Sequence, residues 1–278
     1  MPFRRRKIFV SITTVLVSGV ISYYILFPQV WHCQWIGFSN FQPTATPYYH
    51  VYQSPFLSSK QQKKFYQIIV EAQERINHLW GYHTAKPTFI LCQKEEEYMR
   101  YCSHHEGAGC SIGTPWGSSY IVLNADGLNT DVVAHELCHA ELFERLGWWT
   151  TTRQIPQWFN EGLALMVDYR FVASTDSLQR YQDYAEECLY LSRGGQFEPS
   201  LEEISTMRGF FKHDDAYVML AYMTAGREVS RWLSKVGKTK VAELTHQIKQ
   251  GNSFAKTYKT LEGNKKQHNP TESAKEAR

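Results

Sequence analysis

Asn129-Thr130-Asp131-Val132-Val133-Ala134-His135-Glu136-Leu137-Cys138-His139 holds two histidines four positions apart, with a glutamate directly after the first. On a helix, positions i and i+4 stand one above the other on a single face, so the two imidazoles share one point in space. That arrangement suits a zinc ion held at about 2.0 to 2.1 Å from each nitrogen, with coordination positions left over. Glu136 then lies beside such an ion rather than on it, where a carboxylate can accept a proton from water. The pattern is short, and a chain with 11 histidines can carry it by coincidence, so its surroundings have to support it.

They do. The run from Asn129 to Arg145-Leu146-Gly147 reads as a complete helix. Asn129 or Thr130 serves as N-cap, Asp131 places negative charge in the first turn, Arg145 places positive charge in the last, and Gly147 ends it. Val132, Val133, Leu137, Leu142, Phe143 and Leu146 give it apolar surface to bury. The plainer alternative is a pair of histidines satisfied at the edge of a core. Cys138, inside the motif, reads as a small buried hydrophobe rather than a zinc ligand.

A third donor is offered by Ile155-Pro156-Gln157-Trp158-Phe159-Asn160-Glu161-Gly162-Leu163-Ala164-Leu165-Met166. Pro156 suits the first turn of a helix, predicted to run to about residue 169 and to carry Glu161 one to two turns in. A loop of about nine residues after Gly147 lets this helix fold back on the first. For Glu161 by itself the plain alternative is a surface carboxylate.

The two motifs together resemble the gluzincin metallopeptidases, particularly the peptidase MA-like group, over roughly residues 119–240. The resemblance implies an α+β, mainly helical zincin-like domain with a small sheet. It implies that His135, His139 and Glu161 bind zinc, that Glu136 is the general base, and that peptides or proteins are the substrate. The Ala216-Tyr217 pair opening a late helix also resembles that group, which implies Tyr217 as hydrogen-bond donor to the oxyanion, with Tyr222 and His213 as rivals. Asp168 either orients a ligand histidine or faces solvent.

Beyond this domain, Arg4-Arg5-Arg6-Lys7 precedes residues 8–27, which carry no charge and are long enough to cross a hydrocarbon core about 30 Å thick. Basic residues on the N-terminal side keep that end in the cytoplasm and export the remainder. A cleaved signal peptide is the rival, but Val17-Ser18-Gly19 is a poor cleavage site and apolar sequence continues past it. The expectation is therefore a single-pass anchor in the cytoplasmic membrane, with residues 1–7 inside and the catalytic domain on the periplasmic or extracellular side. Trp31 and Trp35 suit the far membrane interface.

Residues 28–58, with Pro43, Pro47 and Pro55, read as a linker containing one short strand near residues 48–52. The domain is expected over residues 59–261. It opens with an amphipathic helix at 60–80, a strand at 88–92, a short polar helix or turn at 94–101, and a strand at 118–123, which the resemblance implies borders the cleft. After the zinc helix pair, further helices are expected at 176–192, with Tyr181, Tyr184, Ala185, Cys188 and Leu189 inward, and from Asp214 to about Gly237. Residues 262–278 read as a disordered polar tail.

Cys102-Ser103-His104-His105-Glu106-Gly107-Ala108-Gly109-Cys110 matches no common zinc finger spacing. In an exported domain it reads better as a disulfide between Cys102 and Cys110, or from either to Cys92. A net charge of +3, partly from the N-terminal cluster, gives no support to a nucleic-acid partner. The alternative function from a different class is a membrane-tethered zinc-binding protein that holds a partner or cell-wall component without cutting it.

Overall fold

The computed structural model describes residues 2–102 and 107–263. Five strands form one sheet: β1 (Gln42–Ala45), β2 (His50–Gln53), β3 (Thr88–Leu91), β4 (Gly109–Gly113) and β5 (Ser119–Leu123), in the order β1-β2-β3-β5-β4. The inner pairs β2–β3 and β3–β5 are parallel, and the outer strands β1 and β4 are antiparallel to their neighbours.

The register explains why β3 and β5 are apolar without alternation. Phe89 faces Ile121 and Leu91 faces Leu123, and these side chains enter the main core. Ile90 faces Val122 on the other side, where Cys33, Phe41, Tyr98 and Tyr101 form a second, smaller core. A strand covered on both faces has no solvent side and needs no polar alternation. The first face is covered by α3 (Ser59–Trp80) and α5 (Thr130–Leu146), and the second by α2 (Pro28–Gln34) and α4 (Glu95–Cys102).

Local chemistry sets the ends of these helices. The Ser58 hydroxyl accepts from Gln61 N while the Gln61 side chain accepts from Ser58 N, a capping box that opens α3. Phe65, Ile68, Ile69, Ala72, Ile76 and Leu79 give α3 its buried stripe. Asn129 Oδ1 accepts from Val132 N and opens α5, a contribution of about 1 kcal/mol for such a cap. The sequence expectation for both helices holds to within a residue or so at each end.

Several elements depart from expectation. The stretch after Gly147 is the short helix α6 (Trp148–Gln154), not a loop. The helix carrying Glu161, α7 (Gln157–Leu165), ends four residues early, so Asp168 lies in the connection beyond it. Arg180, only 2% exposed, explains the stop: it donates to the carbonyls of Leu165, Asp168, Val172 and Ser174, capturing groups a longer helix would use itself.

Residues 28–58 also contribute more than a linker, because β1 and β2 extend the sheet and Phe41, Tyr49, Val51 and Leu57 are buried. Pro43 misleads here: it lies on an edge strand, where a missing N–H is tolerated.

The remaining helices close the domain: α8 (Ser177–Leu191), α9 (Met207–Phe210), α10 (Asp215–Val236), α11 (Thr239–Lys249) and α12 (Phe254–Gly263). Along α8, Tyr184 and Cys188 point inward as expected, but Leu189 is exposed and the inner face is shared with Arg180. The close approach of α7 to α10 depends on Gly162, where a Cβ would fall 2.4 Å from the Ala225 carbonyl oxygen. Helices α11 and α12 extend the fold past α10, with Tyr258 stacked on Trp232 at 4.8 Å between ring centroids.

The N-terminal helix α1 (Pro2–Leu26) is followed at once by α2. Among the described residues no single helix is long and apolar enough to cross a membrane. Thr13–Leu26 and Pro28–Gln34 reach that composition only as a pair, bent by 96°. The expected tail lies almost wholly outside the described residues, and its first two positions, Glu262 and Gly263, complete α12. Cys102 and Cys110 form a disulfide that joins the end of α4 to β4, while Cys92 is free and buried. His104 and His105 lie outside the described residues.

Candidate metal centre

Helix α5 places His135 and His139 on one face, and α7 crosses it so that Glu161 reaches both. Glu161 Oε2 lies 3.3 Å from His135 Nε2 and 3.6 Å from His139 Nε2. One donor atom from each of the three residues lies within 4.8 Å of the other two, and all three side chains are buried. Among the described residues this is the one such cluster of three or more His, Cys, Asp or Glu side chains. Glu161 is therefore no surface carboxylate.

Each donor is held from behind. Asp168 Oδ2 lies 3.2 Å from His135 Nδ1, the ring nitrogen turned away from Glu161. Arg170 fixes that carboxylate, with Nη2 at 2.6 Å and Nε at 3.0 Å from its oxygens. Asn160 Oδ1 lies 3.0 Å from His139 Nδ1. Gln157 Nε2 donates to Glu161 Oε1 at 2.7 Å, which leaves Oε2 to face the histidines. Such outer contacts fix ring orientation and which nitrogen stays free to bind. Asp168 thus faces the histidine, from the connection after α7. The sequence reading does not single out Gln157 or Asn160, although both sit one helical turn or less from Glu161 on α7, which is the available sequence signal.

The electrostatics follow from that crowding. Burial alone would lower the His135 imidazole, but Asp168 and Glu161 beside it raise it to about 10. Burial alone would raise the Glu161 carboxyl, yet His139 and His135 together hold it well below the usual carboxylate range. Asp168 follows the same logic, with His135 and Arg170 overcoming its burial. Such a site prefers a cation at its centre, whether protons or a metal ion supply the charge.

Glu136 is buried next to His135, and its backbone carbonyl accepts from Ser111 Oγ at 2.8 Å. That bond fastens β4 to α5. Gly109 at the start of β4 comes so close that a Cβ would meet Glu136 Cγ at 3.1 Å and Leu123 and Val132 at 2.9 Å. The edge of the sheet nearest the site is therefore β4, not β5, which is paired on both sides.

Of the three candidate oxyanion donors, Tyr222 approaches the centre, with its ring 6.5 Å from that of His135. Burial raises its phenol well above the ordinary value, and Glu161 and Glu136 add to the shift, so the hydroxyl stays a donor. Tyr217 instead donates to the Gly209 carbonyl at 3.1 Å, and His213 packs edge-on against the Tyr217 ring.

No family model matches the chain, and no curated protein matches it. Among solved structures, native yeast LTA4 hydrolase shares the fold, with a TM-score of 0.51 over 82% of this chain, at 13% identity. The chain spans 37% of the length of that structure. At such identity the likeness speaks for the fold alone. It agrees with a mainly helical domain carrying a small five-stranded sheet.

Proposed function

We propose that this protein is a membrane-anchored zinc metallopeptidase of gluzincin type that hydrolyses peptide bonds. The observation that carries the reading is the convergence of His135, His139 and Glu161 from two crossed helices, with Glu136 beside them. Two imidazoles and one carboxylate form a donor set suited to zinc, and no fourth such side chain joins them among the described residues. Three protein ligands with a position left over mark catalytic rather than structural zinc sites. The fold shared with a protein named a hydrolase agrees.

Zinc held there would polarise a carbonyl and bring the pKa of water to about 7. The residues of the chain supply the other functions. Glu136 takes a proton from the attacking water and delivers it to the leaving amine. Tyr222, held protonated, donates to the developing oxyanion. The outer edge of β4, unpaired among the described residues and fastened to Glu136 through Ser111, offers an extended peptide a strand to pair with. Asp168, Asn160 and Gln157 keep the three donors aimed inward.

The basic cluster before the uncharged run 8–27 supports an anchor with the domain on the exported side. The Cys102–Cys110 disulfide suits the oxidising environment there.

The test replaces Glu136 with Gln in the full-length protein. Zinc content should be unchanged while new N-termini in the exported proteome disappear. Unchanged cleavage in that variant removes Glu136 from the mechanism. Zinc retention with no cleavage in the unsubstituted protein would identify a tethered binding protein instead.

A further inference from the structure

A row of aromatic side chains runs from the last turns of α1 to the turn between β4 and β5. Trp116 in that turn lies 5.6 Å from Tyr23 and 6.1 Å from Tyr24 between ring centroids. Tyr24 continues to Trp31 at 5.0 Å, Trp31 to Trp35 at 5.2 Å, and Trp35 to Phe38 at 5.2 Å. Trp31, Trp35 and Trp116 are each more than two-fifths exposed, and Phe38 is 84% exposed. Soluble monomers rarely leave so continuous an apolar patch uncovered.

Three features specify what covers it. The patch continues into α1, whose exposed side chains include Val15, Ile21 and Ile25 and which bears no charge from Thr13 to Leu26. The patch itself is built from Trp and Tyr, whose apolar bodies and polar tips fit the headgroup layer of a bilayer. Third, α2 turns 96° away from α1. If α1 enters a bilayer along its normal, α2 lies in the plane of the surface. Its Val30 and Cys33 are buried on the protein side while Trp31 and Trp35 remain outside. Tyr23 and Tyr24 stand within about 5 Å of the end of α1, at roughly 1.5 Å per residue, so Trp116 shares the depth of that interface.

We propose that Trp116 and the aromatic face of α2 dock into the headgroup layer of the bilayer that α1 enters, so that β4 works beside the membrane and the substrates are membrane-proximal polypeptide segments. The docking rests on the anchored reading of α1. Ser111, which is bonded to the Glu136 carbonyl, precedes Trp116 by five residues, or about 16 Å of extended chain at roughly 3.3 Å per residue. Adding the Ser111 side chain, the 2.8 Å bond to the Glu136 carbonyl and the reach of the His135 side chain from that backbone keeps the metal centre within about 30 Å of the headgroups. Segments of other proteins emerging from the bilayer fall within that reach, whereas distant domains do not.

The full-length, zinc-loaded protein is reconstituted into phosphatidylcholine–phosphatidylglycerol vesicles. A fluorescent maleimide is placed through Trp116→Cys, Phe38→Cys or, as control, Tyr190→Cys on α8, where the native side chain is 81% exposed. The four free cysteines are buried, so the label goes to the introduced thiol. Phe38→Cys, at a position that packs little, keeps the test valid if Trp116→Cys fails to fold. A nitroxide lipid labelled near the headgroup should quench the two patch positions about threefold or more beyond the control, as expected of groups seated in the interface. Equal quenching in protein that floats with the vesicles overturns the docking and leaves the anchor standing. Protein that does not float overturns the anchor and the docking with it. Energy transfer between copies that grows with the protein-to-lipid ratio, without nitroxide quenching, assigns the patch to a second copy and also overturns the docking.

Discussion

Gln157 Nε2 donates to Glu161 Oε1 at 2.7 Å, one turn apart on the same helix, while the other oxygen of that carboxylate faces both histidines. The amide therefore occupies one oxygen of the carboxylate and leaves the other turned to the histidines. Replacing Gln157 with Leu keeps the volume but removes the donor, leaving a buried carboxylate oxygen unsatisfied. A hydrogen bond to a charged group contributes about 1.5 to 3 kcal/mol, and contacts behind a metal ligand typically change affinity about 10- to 100-fold. Zinc affinity of Gln157→Leu, measured by competition with a chelating dye, should fall within that range while the helical circular dichroism stays unchanged. Wild-type affinity would show that Glu161 needs no such support.

Gly162, the neighbour of Glu161, should tolerate no side chain. A Cβ there would lie 2.4 Å from the Ala225 carbonyl oxygen and 2.6 Å from Val229 Cγ2, atoms of a buried helix that cannot move separately. Alanine is the better helix former, so propensity alone favours Gly162→Ala by about 1 kcal/mol. The clash opposes it, and overpacking of this kind costs about 1 to 3 kcal/mol or more. The net effect should be a lower thermal midpoint. Zinc should also bind more weakly, because α7 can relieve the clash only by moving away from α10 and carrying Glu161 with it. An unchanged midpoint would mean that the α7–α10 contact is looser than described.

The parts of this fold readable in sequence are those where local chemistry and burial agree. Asn129, the apolar stripe and Gly147 bound α5 unambiguously, and Ser58 with Gln61 does the same for α3. The zinc-like motif could be recognised because two of its donors are four residues apart on one helix. Long-range partners were less legible. Arg180 ends α7 from fifteen residues away, so nothing near Leu165 announces the stop. Strand β4 is bounded by Gly109 and Gly113, residues that weaken a strand reading. Both are required by close neighbours, since a Cβ on Gly113 would strike the Phe143 ring at 2.9 Å. Tyr217 and Tyr222 follow the same helical pattern, and only the position of α9 separates them, because the Gly209 carbonyl takes the Tyr217 hydroxyl.

Two buried carboxylates, Glu141 on α5 and Asp168 beyond α7, should separate metal binding from stability. Glu141 is 1% exposed and accepts from Thr84 N, Thr84 Oγ1, Ala85 N and Arg145 Nε. It pins the segment before β3 to α5 and contacts none of the three donors. Breaking a buried charged pair by removing one partner costs about 3 to 5 kcal/mol. Glu141→Ala should therefore lower the unfolding free energy by about that amount while the folded fraction keeps wild-type zinc affinity. Asp168→Asn should do the converse, weakening zinc about 10- to 100-fold through His135 and costing less stability. Denaturant unfolding together with zinc titration on both variants distinguishes these outcomes, and a loss of zinc affinity in Glu141→Ala would refute the separation.

Acid should loosen the end of the domain through Glu262. Arg231 and Lys235 bind its carboxylate at 2.6 and 2.8 Å, attaching α12 to α10, while Glu228 holds the other side of Arg231. The hydrogen bond from Arg231, opposed by partial burial and helped by Lys235, lowers the Glu262 carboxyl from 4.5 to about 2. A depressed carboxyl stabilises the fold fully above its unfolded value and loses that contribution as pH falls towards the folded one. The window is therefore pH 4.5 down to about 2. The Glu262 side chain is 26% exposed and its partners Arg231 and Lys235 are 25% and 50% exposed, so solvent screening limits the effect to about 1 kcal/mol or less. Glu262→Gln removes the titrating group. The stability difference between wild type and Glu262→Gln should be constant above about pH 5.5, where the unfolded carboxyl is also ionised, and should shrink steadily below pH 4.5. A difference that stays constant down to pH 2.5 would show that Glu262 and Arg231 do not hold α12 in solution.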